Sequence, residues 1–174
     1  TVTLPDLEDQ LYYRNYLQQQ VISKINPLLY DRKLRSFLEE LNTGSSAITG
    51  VYVRDVLAMR VLQQPSGNPG WVSETENAIT QFGMASSYNT TGLLAHNTHA
   101  GADFFDLEIG QTVIVVKGNG DTRSYRIDAI HKFQALQPTN PYSNFVDLDT
   151  NATLSATQLF YKVYTGSHHL TFQT

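Results

Sequence analysis

Apolar residues recur every three or four positions along the first quarter of the chain, a spacing that places them on one face of a helix. Pro27 disfavours helical backbone at Asn26 and removes a backbone donor. The pattern therefore predicts two amphipathic helices with a break near Pro27, and we assign residues 1–45 to a helical N-terminal arm. The apolar positions are Leu7, Leu11, Leu17, Val21, Ile25, Leu34, Phe37, Leu38 and Leu41.

The periodicity changes after the polar linker at 43–46. Residues 47–64 are rich in β-branched and apolar side chains at nearly alternating positions, and the turn-forming run QPSGNPG follows them. This predicts two strands. We expect one or two helical turns at 74–82 and a short strand at 91–96.

The remaining sequence predicts further strands and one helix. Residues 111–136 form the clearest local pattern, two apolar strands joined by the glycine-rich run GNGD, which is typical of a tight hairpin. We further predict a strand in NFVDLD, a helix in SATQLFYKVY with Ser155 as its N-cap, and a final strand in HHLTFQT. Many short strands with few helices indicate a mainly β domain, a closed barrel or a sandwich, over residues 46–174.

Composition excludes several functional classes. The 174 residues are 41% hydrophobic, enough for a sizeable core, and the net charge of -4 comes without a basic run. We therefore expect no nucleic-acid partner. The sequence holds no apolar run of about 18 residues, so we expect a membrane anchor only outside it. The Thr- and Asn-rich, Lys-poor composition favours an extracellular or cell-surface location.

His96, in LLAHNTHAGADFF, is the strongest candidate for a functional residue. His99 lies three positions later, but the surrounding residues do not predict a long helix, so a metal site formed by the two imidazoles is the weaker alternative and we expect no metal. General acid and base chemistry at His96, with Asp103 and Asp106 nearby in sequence, is another. The sequence lacks a serine nucleophile elbow, which sets aside that class of hydrolase. It also lacks a phosphate-binding glycine loop and a dinucleotide fingerprint, and we expect no cofactor.

Four segments together carry a family resemblance: GLLAHN at 92–97, the run from FFDLEIG to YRIDAI at 104–130, NFVDLD at 144–149 and LTFQT at 170–174. In order and spacing they resemble sortases. In that family a strand ends in a small residue and His, a Phe and a Leu precede Gly-Asp and a β-hairpin, and a later Leu-Thr-x-x-Thr strand runs directly into the nucleophilic Cys. The resemblance extends from about Gly50 to Thr174 and implies a sortase-like closed β-barrel.

The resemblance also implies a chemistry and its partners. A sortase-type cysteine transpeptidase cleaves a peptide sorting signal between Thr and Gly and joins the acyl product to a surface amine. By this resemblance His96 is the catalytic acid and base. A thiol suits the nucleophilic role because part of it is already thiolate near neutral pH.

Three positions depart from the family pattern. Ala95 replaces the usual Gly before His96, Gln111 replaces the usual Asp after Gly110, and the chain contains no cysteine. No arginine matches the family's arginine by motif. We expect the sequence to be a fragment of a longer chain, with Cys directly after Thr174 and Arg on the next strand, because a barrel without its last strand exposes an unpaired edge.

The alternative is a noncatalytic sortase-like surface or assembly module. In that case the N-terminal helices contact a protein partner, and the cleft near His96 binds a peptide or nothing. The absence of a thiol from the given sequence favours this alternative, so the sequence leaves enzyme activity undecided.

Overall fold

A computed structural model describes residues 31–140, 142–166 and 169–174. The chain divides into two compact units, with the boundary between Glu40 and Leu41. The described part of the first unit is a single helix, and the second unit contains all the strands.

Helix α1 spans Arg32–Glu40. The Asp31 carboxylate accepts a hydrogen bond from the Leu34 backbone N–H at 3.1 Å, which satisfies one of the free donors of the first turn. Leu34 and Phe37 are buried, in line with the predicted apolar face. The helix lies inside the second of the two predicted N-terminal helices. The first predicted helix and the break at Pro27 lie outside the described residues, so the helical arm as a whole stays a prediction.

The second unit is mainly β, with ten strands, two further short helices and a 3₁₀ helix among the described residues. The strands are β1 (Ile48–Val53), β2 (Leu57–Gln63), β3 (Ala78–Phe82), β4 (Thr91–Leu94), β5 (Thr112–Lys117), β6 (Thr122–Arg126), β7 (Phe133–Ala135), β8 (Phe145–Asp147), β9 (Thr153–Leu154) and β10 (Leu170–Gln173). The helices are α2 (Gly83–Ser86), the 3₁₀ helix (Ala100–Asp106) and α3 (Ala156–Tyr164).

Seven strands form one nearly closed, barrel-like sheet in the order β10-β4-β3-β2-β1-β5-β6. Neighbours in this sheet are antiparallel except for two parallel pairs, β2 with β3 and β4 with β10. The other three strands form a small antiparallel sheet in the order β7-β8-β9. The mainly β, barrel-like part of the sequence prediction is therefore confirmed.

One face of the large sheet forms the hydrophobic core. Core residues alternate with more exposed residues along the strands. In β2, for example, Leu57, Met59 and Val61 are buried and the residues between them are more exposed. Phe104 and Leu107, from the 3₁₀ helix and the residue after it, complete the core, and this helix contacts β3 and β10. The 3₁₀ helix thus packs on the sheet directly after the predicted site segment.

The prediction of helical turns at 74–82 is wrong. Residues 78–82 form β3, which lies between β2 and β4, and the short helix α2 begins only at Gly83. Ala78, Ile79 and Thr80 are buried in succession, so this strand lacks the alternation that marks a strand with one exposed face.

The predicted hairpin is confirmed as β5 and β6, joined through Gly120 at φ 88°. Gly118, also part of the predicted turn, does not have the positive φ that is typical of a turn glycine. It has a different role. Its carbonyl accepts hydrogen bonds from the Thr43 and Gly44 backbone N–H groups, and a side chain there would collide with Thr43 and crowd Thr49. The described residues contain no helix long and apolar enough to cross a membrane.

Candidate functional site

Two segments far apart in sequence lie side by side at the candidate site. β10 pairs in parallel with β4, with Leu170 opposite Thr91 and Gln173 opposite Leu94. The Ala95 backbone N–H continues the ladder by donating to the Gln173 carbonyl at 3.1 Å. Because the strands are parallel, their carboxyl ends meet at one edge of the sheet, where His96 and Thr174 follow.

His96 lies in a tight turn directly after β4, and it is exposed. Its carbonyl accepts hydrogen bonds from the His99 N–H at 2.9 Å and from the Gly101 N–H at 3.0 Å. These two bonds hold the backbone of the turn against the start of the 3₁₀ helix. The imidazole therefore projects from a fixed backbone and is accessible to a ligand.

Gly101 lies under this turn. A β-carbon at position 101 would be 2.8 Å from the Ala95 carbonyl oxygen and 2.8 Å from the His96 carbonyl oxygen, and it would collide with the Thr174 hydroxyl. Real β-carbons do not approach other atoms so closely. The missing side chain thus lets the His96 turn, the 3₁₀ helix and Thr174 meet at one point.

The core side of the site is closed by aromatic packing. Phe104 of the 3₁₀ helix meets Phe172 of β10 edge to face, with ring centroids 5.0 Å apart. Such contacts contribute about 0.5–1.5 kcal/mol beyond the area that they bury. They fix the 3₁₀ helix to the strand that ends beside His96.

The structure brings His96 and His99 near each other, with ring centroids 6.2 Å apart. The His99 Nδ1 is 3.0 Å from the Thr98 hydroxyl, so that imidazole has a local hydrogen-bond partner. Among the described residues, no group of three or more His, Cys, Asp or Glu side chains could hold a metal ion.

A second group of charged residues lies in the small sheet. The buried Asp147 of β8 accepts a hydrogen bond from the Lys162 ammonium of α3 at 2.5 Å. This bond, with the Asp149 and Thr150 backbone N–H groups, outweighs burial and lowers the pKa of Asp147 to about 2. The carboxylate is therefore ionised and already paired, which suits a structural role rather than proton transfer.

The predicted final strand is confirmed as β10, His96 as a site residue stays a prediction, and the sequence prediction did not include Gly101. The only local signal for it is the small-residue run Ala100–Gly101–Ala102, which many loops share. Comparison with the protein-family models and with curated protein sequences found no match. The described fold and site thus define a mainly β, barrel-like domain with an exposed histidine where two parallel strands end.

Proposed function

We propose that this domain belongs to a sortase-type cysteine transpeptidase of the cell surface, with His96 as general acid and base and a cysteine directly after Thr174 as nucleophile. Its substrates are a peptide sorting signal, cleaved between Thr and Gly, and an amine acceptor. The observation that carries the proposal is the parallel pairing of β10 with β4. This pairing joins GLLAH and LTFQT, two of the four segments that carry the family resemblance.

The register supports the position of the nucleophile. Gln173 is the last paired residue of β10 and lies opposite Leu94. If the same register continued, Thr174 would lie opposite Ala95 and the next position would lie opposite His96. Neighbouring strands in a sheet lie about 4.8 Å apart. A thiol at that next position would then be within reach of the imidazole, whose protonated form favours thiolate.

The reaction then proceeds in two steps. The thiolate attacks the carbonyl carbon of the Thr-Gly bond, the C–N bond breaks, and protonated His96 gives its proton to the leaving amine. This leaves a thioester and neutral His96. The nitrogen of the acceptor amine then attacks the thioester, and His96 takes a proton from that nitrogen. The C–S bond breaks, which restores the thiolate and leaves His96 protonated again.

The first test uses a cysteine-appended chain, which is this sequence with one cysteine added after Thr174. Since the sequence itself has no cysteine, alkylation by iodoacetamide reports on that single thiol. We expect His96→Ala to slow alkylation at pH 7 by roughly tenfold, because the thiol pKa rises when its imidazole partner is lost. The alkylation rates of the cysteine-appended chain and of its His96→Ala variant are measured from pH 5 to pH 9 and compared.

His131→Ala is the matched control, because His131 is an exposed histidine that pairs with Asp149 and not with the β4–β10 edge. It is expected to leave the alkylation profile unchanged. Equal profiles for the parent and His96→Ala would contradict the proposal.

The second test uses the protein encoded by the parent gene. We expect the codon after Thr174 to encode Cys, and His96→Ala to reduce cleavage of a sorting peptide by about 100-fold or more. Another residue after Thr174, with no Cys close behind it, would reject catalysis and favour the noncatalytic surface module. Undiminished cleavage in the variant would reject the role of His96.

A further inference from the structure

Tyr164, the last residue of α3, contacts both strands that form the candidate site. Its hydroxyl donates a hydrogen bond to the Gln173 side-chain oxygen of β10 at 2.5 Å. Its ring lies directly against Gly92 of β4, where a β-carbon would be 2.9 Å from the Tyr164 Cε1 atom. One buried side chain, 2% exposed, thus spans the strand that ends at His96 and the strand that ends at Thr174.

The surroundings hold Tyr164 in place. Its ring packs on Phe82 and Phe160, with centroids 5.3 Å and 5.2 Å away. One residue earlier, the Val163 carbonyl accepts a hydrogen bond from the Thr171 hydroxyl at 3.2 Å, so α3 is joined to β10 at two points. Burial raises the pKa of Tyr164 above its ordinary value. The phenol therefore stays protonated, and remains a donor, over the whole neutral range.

Gln173 transmits this contact to the site. Its side chain accepts from Tyr164, while its backbone carbonyl accepts from the N–H of Ala95, the residue before His96. We propose that Tyr164 is a positioning residue that sets the alignment between His96 and the residue following Thr174. The catalytic part of this inference rests on the proposed function, and the structural part does not.

The structural part is tested on the chain as it is, by hydrogen exchange of the Ala95 amide. Tyr164→Phe keeps the ring and removes only the hydroxyl, so we expect the variant to fold and the Ala95 amide to exchange about tenfold faster. Amides of the β1–β5 ladder are the internal reference, because general destabilisation accelerates them as well. Acceleration at Ala95 beyond that reference supports the inference, and equal acceleration or none overturns it.

Tyr161→Phe is the matched control. Tyr161 lies on the same helix, is 49% exposed, and its ring meets the Tyr88 ring edge to face. The control therefore also removes one tyrosine hydroxyl from α3, but away from β10. In Tyr161→Phe we expect the exchange rate of the Ala95 amide to be unchanged. If this amide exchanged as fast in Tyr161→Phe as in Tyr164→Phe, the inference would be overturned.

The catalytic part is tested by alkylation of the cysteine-appended chain. Since a misplacement of about 1 Å can already weaken the action of positioned groups strongly, we expect Tyr164→Phe to slow alkylation at pH 7 by about threefold, less than the loss of the imidazole in His96→Ala. Gln173→Met should have the same effect, and the double variant should be no slower than either single variant, because both remove the same hydrogen bond. Additive losses, or none, would overturn a role through Gln173.

The failures of the two proposals are distinguishable. If His96→Ala leaves alkylation unchanged, the proposed function fails at this site, while exchange at Ala95 still decides whether Tyr164 aligns the two strands. If His96→Ala slows alkylation and Tyr164→Phe does not, the proposed function stands and the positioning role is overturned.

Discussion

At the scale of single residues, the site depends on a missing side chain as much as on His96. Gly101 lies where the Ala95 and His96 carbonyls and Thr174 converge. These neighbours are mostly backbone atoms, which cannot rotate out of the way as a flexible side chain can. A single methyl group at this point therefore has to displace the turn or the strand.

We expect Gly101→Ala to destabilise the domain by about 1–3 kcal/mol, the usual cost of overpacking. The gain in backbone rigidity from glycine to alanine, about 0.5–1 kcal/mol, is too small to offset it. Urea unfolding followed by circular dichroism measures the difference. Gly70→Ala is the control, since nothing lies within 4 Å of a β-carbon there, and it should be neutral or stabilising by up to about 1 kcal/mol. A stability of Gly101→Ala equal to that control would refute the steric argument.

The sequence predicted His96 through the family resemblance of the segment GLLAHN, and its role stays a prediction. Gly101 and Tyr164 could not be found in this way. A glycine in a polar loop and an aromatic residue near a helix end are ordinary in any sequence. Their roles follow from the residues that each one contacts in the folded chain.

At the scale of elements, α3 is the clearest agreement between sequence and structure. Ser155 is the predicted N-cap, and its hydroxyl accepts from the Gln158 N–H at 3.2 Å. The Gln158 side chain accepts from the Ser155 N–H at 2.9 Å, which completes a capping box. The start of the helix is therefore defined locally, and its other end carries Tyr164 to the site.

Ser155→Ala is expected to reduce the free energy of unfolding by about 1 kcal/mol, because the Gln158 N–H loses its acceptor at the helix start, while the backbone N–H of residue 155 keeps its partner. Thermal or urea unfolding measures the loss. Thr157→Ala is the matched control, being an exposed hydroxyl residue in the same turn, and should be neutral or slightly stabilising since alanine favours helix. If both variants unfold alike, the capping box contributes nothing measurable.

Strand β3 shows where local patterns fail. The run ETENAITQF has charged and amide residues that suit a helical turn, yet Ile79 and Thr80 are buried between two neighbouring strands. The Thr80 hydroxyl accepts a hydrogen bond from the Ser73 N–H at 2.8 Å, which satisfies a polar group inside the protein. Pairing with β2 and β4 outweighs the weak local preference.

At the scale of the whole molecule, the Asp147–Lys162 ion pair joins the small sheet to α3. Lys162 also lies over the Phe133 ring of β7, with the ammonium 5.6 Å from its centroid. The pKa of Asp147 falls from 3.8 to about 2 in the folded protein. A carboxyl with a lowered folded pKa stabilises the fold above its unfolded pKa, and this contribution is lost as the pH falls through the folded value.

We therefore expect the free energy of unfolding to decline between pH 4 and pH 2 as the Asp147 carboxyl becomes protonated. Lys162→Met should reduce that decline, because it raises the folded pKa of Asp147. Urea unfolding at pH 2, 3, 4 and 7 measures it. Lys117→Met, which removes an exposed lysine from β5, serves as the control for charge alone. The same pH dependence in both variants would show that Asp147 does not depend on Lys162.

The sequence by itself determined the features that depend on near neighbours: the mainly β class, the β5–β6 hairpin, α3 with its cap, and the final strand. Each has a periodicity, a turn residue or a cap within a few positions. Only the tertiary structure decided that β4 (Thr91–Leu94) and β10 (Leu170–Gln173) pair in parallel. Parallel neighbours need a long crossover and leave no local mark in the chain. The positions of His96 and Thr174 at the same edge of the sheet, and the places of Gly101 and Tyr164 beside them, follow from that long-range pairing.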